Sequence, residues 1–164
     1  MDRSSIDEVY VLMGPSSLST SLPGTHAMRQ NILDTIDRAE EKLLLVGYML
    51  NSIEMLERIV LKCQTAKVEI HLDRRQMSTD QEALEYIETL RGEGAIVKLH
   101  QNSFEGSLHA KVIIADEKEA IIGSANFTHS GSHRNLEAGL RLRGPSVKIL
   151  YNSLTVIFNQ MEGA

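Results

Sequence analysis

The chain has 164 residues, 42% of them hydrophobic and 24% charged, which suits one compact domain with a core of its own. The opening Met-Asp-Arg-Ser-Ser-Ile-Asp-Glu lacks the basic and apolar regions of a signal peptide, and no apolar run approaches the roughly 20 residues of a membrane span, so a cytoplasmic protein without a membrane anchor is expected. A single cysteine, Cys63, excludes an internal disulfide, and a net charge of −5 argues against a surface coated with phosphate-binding groups.

In chain order, the β-formers from Glu8 to Met13 predict a first strand that ends in the turn Gly14-Pro15-Ser16-Ser17. A Ser/Thr/Gly/Pro loop then leads to Thr25, placed to cap a helix over 26–40 with Met28, Ile32, Leu33, Ile36 and Ala39 on its inner side. The nearly continuous apolar run from Lys42 to Leu50 predicts a strand covered on both faces, hence a central one. Asn51 or Ser52 is placed to cap a second helix to about Gln64, which puts Cys63 inward as a buried thiol. Lys67 to Leu72 alternates as a strand ended by Asp73-Arg74-Arg75. A third helix over 79–91 stops at Gly92, and Ala95 to Leu99 is the next strand.

After a polar loop from Gln101 to Ser107, strands 108–115 and 120–123 form a hairpin around the charged turn Asp116-Glu117-Lys118-Glu119. Leu136 to Leu142 alternates as a last strand, and Pro145 opens a closing helix to Met161. Repeated strand–helix units followed by a hairpin predict an α/β domain, a single unit over 1–164, with a mixed β-sheet flanked by helices on both faces.

Chemistry concentrates between Leu108 and Glu137. His109, Lys111 and Asp116 stand in the order H-x-K-x4-D, Gly123-Ser124-x-Asn126 follows, and Glu137 closes the set. In a strand, residues two apart share a face, so His109 and Lys111 are expected to project together, away from Ala110, Val112 and Ile114. From His129 to Lys148 four basic residues, Arg134, Arg141, Arg143 and Lys148, face one acidic residue, Glu137; this window is +3 and the rest of the chain −8. It reads equally as a few solvated arginines or as a local phosphate-facing groove.

These three elements in this order resemble the phospholipase D superfamily, and over nearly the whole chain the pattern is similar to its small nucleases with one motif per chain. The resemblance implies a phospholipase D-like fold and metal-independent phosphodiester chemistry. A neutral, oriented imidazole attacks phosphorus, so His109 is the candidate nucleophile of a phosphohistidine intermediate. Lys111 supplies a cation and Asn126 an amide donor for the non-bridging oxygens. Glu137 is the expected acceptor for His109 Nδ1–H, a contact that the resemblance implies can cross between subunits. Gly123 permits close backbone approach, Ser124 offers a further hydroxyl donor, and Asp116, seven residues beyond His109, is read as mainly structural. Thr128 and Asn135 fit the surroundings of such a site, with plain loop roles as the alternative. His129 and His133 are read as surface groups.

The leaving oxygen needs a proton that one ring cannot deliver while bonded to phosphorus. In the superfamily a second motif supplies it, yet His26, His71, His100, His129 and His133 are each followed two residues later by something other than Lys. A symmetric homodimer with the two His109 side chains meeting is therefore expected. No metal or other cofactor is expected, since the Cys and His residues lack ligand spacing. The leading function is an endonuclease on DNA or RNA. A phospholipase D-type lipid phosphodiesterase and a nucleic-acid-binding subunit of a larger processing or defence complex are the alternatives; 4% aromatic content without Trp speaks against membrane contact.

Overall fold

Apolar runs of two kinds, alternating and continuous, build the sheet in a computed structural model that describes residues 6–101, 106–129, 131 and 134–162. The elements are β1 (Glu8–Gly14), α1 (Ser16–Ser19), β2 (Thr25–Ala27), α2 (Met28–Arg38), β3 (Lys42–Gly47), α3 (Ile53–Cys63), β4 (Lys67–Asp73), α4 (Arg74–Met77), α5 (Gln81–Gly92), β5 (Ile96–His100), β6 (Val112–Ala115), β7 (Glu119–Gly123), β8 (Glu137–Arg143) and α6 (Pro145–Glu162). Eight strands form one mixed sheet in the order β2-β1-β8-β7-β6-β3-β4-β5. β3 runs parallel to β4 on one side and antiparallel to β6 on the other, the interior position that its continuous apolar sequence predicts.

Alternation along β3 and β6 feeds two cores. Leu43, Leu45, Ile113 and Ala115 pack with Ile32, Ile36, Ile59 and Ile87 of the helices on one face. Leu44, Val46, Val112 and Ile114 pack with Val147 and Phe158 of α6 on the other. The two-sided cover expected from the sequence is thus present. Gly47, at the end of β3, leaves room for Phe127, whose ring lies 2.8 Å from where a Cβ would stand.

Several local expectations are corrected. Residues 25–27 are not the start of a helix but a short strand pairing parallel with β1, and α2 begins at Met28 without a side-chain cap. Ser52 occupies the N-cap of α3 without a capping hydrogen bond, while Asn51 Nδ2 donates to Asp80 Oδ2 at 2.9 Å. Gly92 remains inside α5; the left-handed backbone after it is taken by Gly94, at φ +96°. Cys63 is half-buried rather than buried, and burial with the nearby Glu93 pushes its thiol pKa up, away from reactivity.

The charged turn is shorter than expected, because Glu119 opens β7 and is 6% exposed. Thr35 Oγ1 donates to its Oε1 at 2.5 Å, and Arg38 and Arg143 pair with its two oxygens. Burial alone would raise its pKa, but these three partners hold it below the usual range. Because both arginine side chains keep a face to water, Glu119→Ala is expected to cost about 2 kcal/mol, below the roughly 3–5 kcal/mol of a fully buried pair. A thermal melt should show a fall of about 4–8 °C.

Candidate active site

The register of the sheet gathers the motif, Asp116 apart, at one end. Val112 pairs with both Val46 and Ile122, so the residues just before β6 lie beside those just after β3 and β7. Glu137, opening β8, pairs with Gly14 at the end of β1, which brings it to the same edge. Gly123 faces Gly139 across β7 and β8, where a Cβ on either would press on the other strand and on Met28. The close approach expected of Gly123 is therefore to a neighbouring strand.

His109 and Lys111 do come together, by a different route from the one predicted. Residues 107–111 lie outside the sheet, and β6 starts only at Val112. Two tertiary bonds hold this segment: Leu108 N donates to Asp73 Oδ2 at 3.1 Å, and Gly123 N donates to Lys111 O at 3.2 Å. Lys111, 7% exposed, donates from Nζ to His109 Nδ1 and to His109 O, both at 2.8 Å. Burial lowers its pKa below the ordinary lysine value, with Glu137 opposing the shift. If this cation stabilises the reacting phosphate, the alkaline limb of the pH–rate profile should begin below the ordinary lysine value of 10.5. An Arg at 111, which does not titrate there, should remove that limb from whatever activity it retains.

Glu137 does not reach His109 within one chain. Ser124 Oγ donates to Glu137 Oε2, Asn135 Nδ2 lies 3.4 Å from Oε1, and Ala138 N donates to Ser124 Oγ at 3.1 Å. The Ser124 proton is thereby directed to Glu137, away from a substrate oxygen. Asn126 follows on the loop leaving β7, its Oδ1 buried without a hydrogen-bond partner among the described residues. Gly131 N donates to Thr128 Oγ1 at 3.0 Å, and a Cβ at Gly131 would stand 2.4 Å from Asn126 O, so the loop closes tightly under Asn126. His129 is exposed, and His133 lies outside the described residues.

Asp116 sits at the opposite end, after Ala115, which pairs with Glu119 and Leu43. Its carboxylate accepts from Glu40 N at 2.9 Å and from Glu41 N and Lys42 N at 2.8 Å each, across the sheet rather than within its own turn. Two residues escaped sequence reasoning. Tyr48 packs its ring on His109, centroids 4.7 Å apart, with Lys111 Nζ 5.6 Å from its centre; its only signal was its place after Gly47 of the central strand. Asp73, 1% exposed, tethers Leu108 and so positions His109; it looked like a strand terminator.

Two arginines of the basic window are engaged away from the motif. Arg143 is paired with Glu119 at the far end of the sheet, and Arg141 lies 4.3 Å over the Tyr10 ring while donating to Asn31 Oδ1 at 2.7 Å. One cavity is lined by His109 and a second by its neighbours Tyr48 and Ser107. The first, about 280 Å³, is mostly apolar, with Val46, Leu108, Leu154, Ile157 and Phe158 on its walls. The other, about 490 Å³, is polar and adjoins Tyr48. Among the described residues no group of three or more His, Cys, Asp or Glu gathers to hold a metal ion, and no helix is long and apolar enough to cross a membrane.

A family model described as "Cardiolipin synthase, PLD-like domain" matches residues 32–161. The "DISARM protein DrmC" of Bacillus paralicheniformis is 32% identical over 160 residues, 93% of this chain and 62% of that protein. A "Phospholipase D" of Rickettsia felis is 32% identical over 123 residues, 74% of this chain and 59% of that one, so the chain spans about three fifths of the curated relatives it matches. The phospholipase D family member Nuc from Salmonella typhimurium shares the fold, with a TM-score of 0.77 and 22% identity over 96% of this chain and 95% of that one. With His109, Lys111, Ser124 and Glu137 assembled at one end of the sheet and the family model matching most of its length, the chain belongs to the phospholipase D-like family.

Proposed function

We propose that the protein is a metal-independent phosphodiesterase, an endonuclease on DNA or RNA, whose site is completed by a second copy of the chain. The observation that carries this reading is the meeting of His109, Lys111 and Tyr48 beside the Ser124–Glu137 pair at one sheet end. His109 Nε2 attacks phosphorus, the bond to the leaving strand breaks, and the leaving oxygen takes a proton from the second copy's His109. Water, giving its proton to that same second histidine, then displaces His109 and restores both rings. Lys111 Nζ and the Asn126 Nδ2 amide hold the non-bridging oxygens through both steps.

The contacts within one chain support the need for two. Within one chain Lys111 Nζ lies near both His109 ring nitrogens, 2.8 Å from Nδ1 and 3.2 Å from Nε2, and among the described residues no carboxylate accepts from either. An acceptor at Nδ1 fixes the tautomer that leaves Nε2 free to attack, and Glu137 of the second copy fits that role. Two observations favour second readings. The apolar cavity beside His109 and the relatives named phospholipase D suit a lipid phosphodiester. The relative named DISARM protein DrmC suits a subunit of a larger assembly.

The deciding experiment incubates the protein in EDTA with labelled single- and double-stranded DNA and RNA oligonucleotides, and separately with vesicles of phosphatidylcholine and phosphatidylglycerol. Oligonucleotide cleavage with intact lipid is the expected result. Headgroup release with intact oligonucleotides, or cleavage only after a divalent metal is added, contradicts it.

A further inference from the structure

The polar cavity of about 490 Å³ beside the active site is lined by Tyr48, Arg75, Gln76, Thr79 and Ser107, with Asp73 in its wall. It touches the catalytic centre twice, through the Tyr48 ring packed on His109 and through Ser107, two residues before His109. Among the described residues its one acidic wall residue is already occupied: Asp73 Oδ1 accepts from Gln76 N at 2.9 Å and Oδ2 from Leu108 N at 3.1 Å. Thr79 is likewise engaged, donating to Gln76 O at 2.7 Å. Arg75 and Ser107 are exposed, and neither side chain has a hydrogen bond or ion pair among the described residues. Arg74, its neighbour, instead reaches Gln101 at 3.5 Å.

From this we infer that the cavity is a second phosphate subsite: Arg75 and the Ser107 hydroxyl bind the phosphodiester adjacent to the one held at His109, with Tyr48 flanking the nucleoside between them. The inference rests on the nuclease reading and narrows it to strands carrying at least two consecutive phosphodiesters. An arginine fork with its donors unspent suits a phosphate's paired oxygens, and an aromatic ring between two phosphate sites suits a base or sugar face. The subsite also supplies a nucleic-acid contact that Arg141 and Arg143 of the basic window, engaged elsewhere, do not.

The test compares wild type, Arg75→Ala and Arg75→Lys on a labelled single-stranded oligonucleotide across a potassium chloride series, and on bis(p-nitrophenyl) phosphate, which has one phosphodiester. For Arg75→Ala the loss of kcat/KM on the oligonucleotide should exceed the loss on the small diester by about tenfold, mainly through KM. The slope of log affinity against log salt should become shallower by about 0.7, the value for one lost single-strand phosphate contact. Arg75→Lys should keep the wild-type slope. Equal losses on both substrates, or an unchanged slope in Arg75→Ala, overturn the subsite while leaving the nuclease reading intact. A wild type that turns over the small diester but leaves oligonucleotides whole overturns both.

Discussion

His109→Ala is expected to reduce phosphodiester cleavage by at least about 10⁴-fold, the range seen when a residue that acts as one unit with its partners is removed. The loss should fall on kcat, because the imidazole forms and breaks the bond to phosphorus and the cavities that receive the rest of the substrate are left in place. The side chain is exposed, so the variant should fold and melt close to wild type. Label from a phosphate-labelled substrate, trapped on the wild-type protein by alkaline quench, should be missing from the variant. Retained activity would move the nucleophile away from His109 and dissolve the mechanism.

Asp116→Ala should produce the largest change in stability among the motif residues. Three backbone N–H groups of residues 40–42 donate to this one carboxylate at 2.8–2.9 Å, fastening the start of β3 to the β6–β7 turn. Glu40 and Glu41 are exposed and their amides can be rehydrated, so about 1 kcal/mol per lost bond is reasonable. Asp116 also has φ +53°, which alanine tolerates less well than Asp or Asn. A total of about 3 kcal/mol corresponds to a fall of about 6–12 °C in a domain of this size.

The pH dependence has a defined sign. Burial would raise the Asp116 pKa, but the three amides hold it below 3.8. A depressed carboxylate pKa gives stability that is present above the unfolded value and lost as pH falls through the folded one. The difference in melting temperature between wild type and Asp116→Ala should therefore be full near neutrality and shrink as pH drops below about 4. Well below its melting temperature the variant should keep cleavage within a few-fold of wild type. Unchanged melting with lost turnover would make Asp116 part of the chemistry.

What could be read from the sequence follows from what each feature depends on. The continuous run of β3 and the three- and four-residue steps of α6 are local patterns, and both elements form there, although β3 ends at Gly47 rather than Leu50. The motif's order was equally legible. The extended segment 107–111 was not, because Asp73, far away in sequence, holds it in place of a strand ladder. Glu119 reads as part of a solvated charge run until Thr35, Arg38 and Arg143 converge on it from α2 and β8. The arginines of the basic window mislead for the same reason, since charge counted along the chain says nothing of the partner each finds across the sheet. β2, α1 and α4, at three or four residues each, are too short for any periodicity to show.

The central claim is that one chain holds half of a site. It is tested most directly by measuring mass by light scattering and specific cleavage activity on the same samples over a wide concentration range. The account predicts that activity per chain rises and falls with the dimer fraction and vanishes where only monomer remains. Full activity per chain in a purely monomeric sample would contradict it and would place the proton donor within the single chain.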